Sequence, residues 1–143
     1  MSQVELSTSV GYLLKRATTA LHDEMDAVLR PLALTITQYS CLELLAQRPG
    51  LSNSELARGT FVTRQSMNVL LQQLEQRGLV TRAEQPVAGR VLPTELTAQG
   101  SDLRKEASEA VRAVEARMTS GLEPDDEARL RELLTRCESA LTT

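Results

Sequence analysis

Residues 63–80 read TRQSMNVLLQQLEQRGLV, and the spacing predicts a single helix with a polar tip. Thr63 is suited to the N-cap, where its oxygen can accept a backbone N–H from Gln65 or Ser66. Met67, Leu70, Leu71 and Leu74 recur at helical intervals and mark one buried face. Gly78 follows Arg77 and suits a left-handed stop. The first turns carry Arg64, Gln65, Ser66 and Asn68. Arg, Gln and Asn are the side chains able to make paired hydrogen bonds to guanine or adenine edges. Alone, so short and common a pattern more often marks an ordinary amphipathic helix with a solvated end, so the flanks decide.

Upstream, Ser52 and Glu55 form a capping-box pattern in LSNSE. It opens a short helix, SNSELARG, ending at Gly59, and residues 60–62 connect it to the next helix. A short capped helix, a tight turn and a second helix with a polar tip make a helix-turn-helix. Downstream, residues 80–84 and 90–96 are extended runs around QPVAG, a loop punctuated by Pro86 and Gly89. Pro93 assigns the second run to a sheet edge. A two-stranded wing after the recognition helix completes a winged helix.

In order along the chain stand LTITQYSCLELLA, PGLSNSELARG, VTRQSMNVLLQQLEQRGLVTR, a wing with Gly89-Arg90, and LTAQG. This order resembles the MarR family of multiple antibiotic resistance regulators, over nearly the whole chain. In two places the sequence departs from the family pattern. Ala88 stands where many members have an Asp that braces the wing-tip Arg, and Val69 where many have a basic residue.

The flanks of the winged unit read as long helices. Residues 7–30 carry Val10, Leu14, Ala17, Leu21, Met25 and Val28 at heptad-like spacing. Thr35 and Gln38 form another capping box, for a helix packed through Tyr39, Cys41, Leu42 and Leu45 and closing before Pro49-Gly50. After the wing, Thr97 caps a helix to about residue 120, with a stripe of Leu103, Ala107, Ala110, Val114 and Met118. Gly121 breaks it. Pro124 then opens a last helix whose first turn is acidic, as the helix dipole favours. Leu130, Leu133, Leu134, Cys137 and Leu141 form its apolar face. Such stripes also serve monomeric cores. The length of these helices in a small chain, and the two-fold symmetry that DNA reading asks for, favour a homodimer instead, as does the resemblance.

The expected fold is therefore mainly α in one domain: dimerisation helices over residues 1–34 and 97–143, and a winged helix-turn-helix over 35–96. A length of 143 residues suits one domain. One Phe, two Tyr and no Trp leave the core to aliphatic side chains. No apolar run suggests a membrane span, and no basic-then-apolar start suggests a signal peptide. Cys41 and Cys137 are too few for a disulfide scaffold and fit a cytoplasmic protein. Net charge is −3, yet residues 61–90 hold four arginines against two glutamates, leaving −5 on the remainder. A locally basic head on an acidic body can bind phosphates without coating nucleic acid indiscriminately.

Enzyme chemistry has little to stand on. His22 is the sole histidine, no cluster has metal-ligand spacing, no glycine loop would cradle phosphate, and no cofactor is implied. The expected function is a sequence-specific, ligand-responsive repressor that binds a pseudo-palindrome on double-stranded DNA. Arg64, Gln65, Ser66 and Asn68, after the Thr63 cap, would face the major groove. Ser52, Asn53 and Ser54 would hold phosphate at a helix N-terminus. Arg82 on the wing strand and Arg90 at its tip would complete the interface, Arg90 in the minor groove. The resemblance implies a small phenolic or lipophilic effector between the dimer helices and the winged unit, where Tyr12, Arg16, His22 and Tyr39 are the polar candidates. Two other readings stand beside this one. One is a dimeric protein-interaction module without DNA affinity. The other is a thiol-based redox sensor, against which both cysteines occupy apolar helix positions.

Overall fold

A computed structural model describes residues 3–82 and 93–142. Six helices and a small sheet follow in the order α1 (Val10–Leu29), a 3-10 turn (Arg30–Leu32), α2 (Ile36–Gln47), α3 (Asn53–Thr60), α4 (Arg64–Gln76), β1 (Val80–Arg82), β2 (Thr94–Leu96), α5 (Ala98–Met118) and α6 (Pro124–Leu141).

Helix starts follow side-chain chemistry. Ser9, Thr35, Ser52, Thr63 and Thr97 each accept a backbone N–H from the first turn of the helix they precede, and Thr35–Gln38 and Ser52–Glu55 are complete, reciprocal capping boxes. The Ser9 cap begins α1 at Val10, the first residue of the apolar stripe and later than the expected start at residue 7, and the helix ends at Leu29 because Arg30 and Pro31 turn into the 3-10 segment. Helix α3 runs one residue beyond Gly59. The left-handed stop falls on Phe61, with φ +61°, in place of a glycine, a conformation costing roughly 1–2 kcal/mol for an L-residue. Gly78 takes the expected left-handed stop after α4, with φ +76°.

Met67, Leu70, Leu71 and Leu74 of α4 are buried, together with Tyr39, Cys41, Leu42 and Leu45 of α2 and Leu56 and Ala57 of α3. Helix α5 joins this core through Ala107, Val111 and Val114. Val111 is buried where the expected stripe has Ala110, which is half-buried, because the face of α5 that meets α1 and α2 lies toward Val111. Glu43 of α2 and Arg104 of α5 form a half-buried ion pair at 3.6 Å across that joint.

The sheet is antiparallel, with Val80 opposite Leu96, Thr81 opposite Glu95 and Arg82 opposite Thr94. The sequence places the second run at a sheet edge, and here the structure differs. Thr94 N–H donates to the Leu51 carbonyl at 3.1 Å, and Gly50 N–H donates to the Thr94 carbonyl at 3.1 Å. Leu51 thus covers the far side of β2 at Thr94, which is fully buried. Proline at 93 permits this because the pairing uses the N–H and carbonyl of residue 94. The expected loop of the wing, including Gly89 and Arg90, lies outside the described residues.

Helix α5 meets β1 so closely that only glycine fits at its third residue. A Cβ on Gly100 would collide with the backbone carbonyl of Leu79, which already accepts the Thr97 N–H at 3.1 Å. Gly100→Ala is expected to lower the unfolding free energy by about 3 kcal/mol, at the upper end of overpacking costs. A urea midpoint within error of wild type would contradict this contact.

Candidate nucleic-acid interface

Helix α4 is held on one face by its four buried side chains and presents the opposite face to solvent. The Thr63 hydroxyl accepts the Ser66 N–H at 3.0 Å and donates to Ser66 Oγ at 3.0 Å. Ser66 therefore keeps its own hydroxyl proton for an outside acceptor. Arg64, Gln65 and Asn68 are exposed on the same turns.

The adjoining helix contributes a contact that sequence alone does not reveal. Asn53 Nδ2, in the first turn of α3, donates to Asn68 Oδ1. Two expected DNA-facing amides are thereby joined across the turn, and the Asn68 N–H groups stay available. A second amide pair, Gln38 to Gln73 at 3.4 Å, ties α2 to α4. Helical phase identifies an exposed amide, but the partner on another helix depends on the crossing angle, so neither pair has a sequence signature.

Ser52 is almost fully buried, and its hydroxyl accepts the Glu55 N–H at 3.2 Å while Glu55 accepts the Ser52 N–H at 3.0 Å. Donation to the carboxylate by the Ser52 backbone N–H, and secondly by its side chain, holds the Glu55 carboxyl below its ordinary pKa. Any hold on phosphate here falls to the N–H groups of the first α3 turn and the half-buried Asn53 and Ser54.

Two arginines of the basic head bond within the winged unit and its support: Arg77, still exposed, and Arg82, largely covered. Arg77 donates to the Ala33 carbonyl at 2.7 Å, locking the end of α4 onto the turn after α1. Arg82 reaches Glu75 of α4 at 3.5 Å and is largely covered. The local positive surplus is thus partly spent inside the winged unit.

The four expected effector residues do not share one groove. Tyr12 and Arg16 line a shallow depression along α1 with Lys15, Thr19 and Asp23. His22 is exposed on α1. Tyr39 is buried at the α2–α5 joint, where burial raises its phenol pKa, Glu43 adds to that and Ser108 opposes it. A separate groove of 240 Å³ runs between α1 and α5, floored by Ala17, Ala20, Leu21 and Val114 and edged by Glu24 and Arg117. Those two charges pair at 3.3 Å. Among the described residues, no group of His, Cys, Asp and Glu is placed to hold a metal, and no helix is long and apolar enough to cross a membrane.

Cys41 is fully buried, and burial pushes its thiol up to about 12. The thiolate that oxidants attack is scarce at such a pKa. Cys41 is expected to resist thiol reagents at pH 8 until the chain unfolds, as a time course with and without urea would measure. Rapid modification of the folded protein at Cys41 would contradict that burial; Cys137, expected on an apolar helix face, is instead exposed on α6. Because the folded pKa is raised, the linked stability is intact below the ordinary value near 9 and declines as pH climbs from there toward 12.

A capped recognition helix, its supporting helix and a two-stranded wing sheet define a winged helix-turn-helix DNA-binding transcription regulator. The family model described as "MarR family" matches residues 34–91. The HTH-type transcriptional repressor Rv2887 of Mycobacterium tuberculosis is 42% identical over 130 residues, spanning 91% of this chain and 94% of that protein. The crystal structure of Rv2887 in complex with DNA superposes with a TM-score of 0.77 at 39% identity, covering 91% of this chain and 98% of that one. The Rv2887 complex with salicylic acid gives 0.72 at 41% identity, covering 91% and 96%. The chain belongs to the MarR family.

Proposed function

We propose that this protein is a ligand-responsive repressor that binds a pseudo-palindromic operator as a homodimer, with residues 35–96 as the reading unit and the flanking helices as the dimer body. The observation that carries this reading is α4, anchored by four buried side chains and exposing Arg64, Gln65, Ser66 and Asn68 beyond a Thr63 cap. These side chains take the major groove. Asn53, Ser54 and the start of α3 take phosphate, and Arg82 and Arg90 belong to the wing side of the interface. The complex of Rv2887 with DNA supports this assignment.

An aromatic acid or similar small effector fits the family, and the salicylic acid complex of Rv2887 supports that class. Such a ligand would relieve repression only by binding the non-operator arrangement more tightly. Tyr12 and Arg16 along α1 are the polar groups proposed to meet it; His22 and the buried Tyr39 lie outside their groove. The protein works in the cytoplasm on DNA and is not an enzyme.

The bonds of Arg77 to Ala33 and of Arg82 to Glu75 favour a second reading, a dimeric interaction module that has no affinity for DNA. Gel-shift titration of the DNA upstream of its own gene at several salt concentrations separates the two. A repressor gives a steep fall of log affinity with log salt, with a slope set by the number of phosphates neutralised. Absence of any shift at low salt would favour the interaction module.

A further inference from the structure

We propose that Val69 reads the C5-methyl group of a thymine in the major groove, an inference that rests on the DNA-binding reading above. The residue departs from the basic side chain common at this position, and the structure gives that departure an exposed apolar surface. Val69 is 52% exposed in the middle of α4. It lies opposite the Met67, Leu70, Leu71 and Leu74 face, one turn beyond Gln65 and one turn before Gln72, and side chains three and four apart on a helix are neighbours. Val69 thus sits at the centre of the surface that the anchored helix offers outward.

Its exposure is not part of the surface assigned to the dimer. The other large exposed hydrophobic side chains among the described residues fall at 4–14 and 118–141, apart from Phe61 in the turn before α4. Val69 and Phe61 are therefore the exceptions within the winged unit. A β-branched side chain in a helix keeps one dominant χ1 rotamer, so the two methyl groups of Val69 are presented in a fixed direction with little entropy left to lose. Within the major groove only thymine offers an apolar partner, its methyl group, while the other base edges present hydrogen-bonding atoms. The short side chain does not extend to phosphate, so its contribution is to sequence preference and not to the salt slope. Gln65, one helical turn away, suits adenine N6 and N7. A turn of about 5.4 Å against a base-pair rise of about 3.4 Å puts the thymine within one or two base pairs of the base Gln65 reads.

The test starts with selection of random-core duplexes, about two helical turns long, by the wild-type protein. Each thymine of the enriched duplex is then replaced by deoxyuridine, which removes the methyl group alone. Losing one buried methyl contact is expected to weaken wild-type binding roughly fourfold in one half-site and roughly fifteenfold in both. Val69→Ala should bind the thymine duplex more weakly by a similar factor and be indifferent to that same uracil. Val69→Thr, which keeps the branched shape and one methyl, should fall between. Two results overturn the inference while leaving DNA binding intact: a wild type indifferent to every thymine methyl, or a Val69→Ala variant that stays sensitive to the same one. If the wild type enriches no duplex, the DNA-binding reading fails and the role of Val69 fails with it.

Discussion

Leu133→Glu is expected to convert the protein to a monomer at micromolar concentration and to weaken operator binding at least about a hundredfold, through loss of the second, tethered half-site contact. The reason begins with α6, a helix of 18 residues none of which is buried. Helices in proteins draw most of their stability from packing of an apolar face, so cover of this face by a second chain is expected. Leu130, Leu133 and Leu134 are each about 40% exposed along it, and Val10, Leu13 and Leu14 of α1 are exposed at the other end of the chain. Between α5 and α6 lies an open cavity of 440 Å³ lined in part by Met118, Leu130 and Leu134. Aliphatic surface in this arrangement gains about 25 cal/mol per Å² when a symmetric partner covers it. A glutamate at 133 would enter that interface unpaired, at a cost that is large for a buried charge. Because Leu133 does not belong to the core of its own chain, dissociation can be told from unfolding: light scattering should report the monomer while circular dichroism and the urea transition still report a folded winged unit. A Leu133→Glu protein that stays dimeric would place the interface elsewhere.

The second large effect is at the reading head. Arg64→Ala is expected to weaken operator binding by about 1–3 kcal/mol, roughly 5- to 150-fold, and to relax preference at one base pair in each half-site. Arg64 follows the Thr63 cap directly and is exposed, while Arg77 and Arg82 are committed to Ala33 and Glu75. That division concentrates base recognition by arginine, within the described part of the head, on Arg64. Competition against mismatched duplexes measures it. An equal loss on every sequence would mean that Arg64 touches phosphate and not a base, and no loss at all would remove it from the interface.

The capping boxes, the α4 core face and the Gly78 stop were legible because each depends on residues within a turn or two of one another. Thr35 and Gln38, Ser52 and Glu55, and Thr63 and Ser66 find each other through local backbone geometry alone. The same locality explains the errors. Spacing alone is compatible with either Ala110 or Val111 between Ala107 and Val114; Val111 faces the core, because the crossing of α5 over α2 and α1 selects which side is covered. Pro93 marked an edge strand by a sound local rule, yet Leu51, more than forty residues earlier, pairs with Thr94.

The order of amphipathic helices around a polar-tipped recognition helix, and with it the winged-helix class, was set by the sequence itself, since hydrophobic period and capping act over a few residues. Tertiary structure decided the rest. It joined Asn53 to Asn68, tied Arg77 to the Ala33 carbonyl and Arg82 to Glu75, separated Tyr39 from Tyr12 and Arg16, and left α6 uncovered. Those outcomes depend on how helices distant in sequence cross and which faces they bury, and no pattern within a single helix encodes the angle of its neighbour.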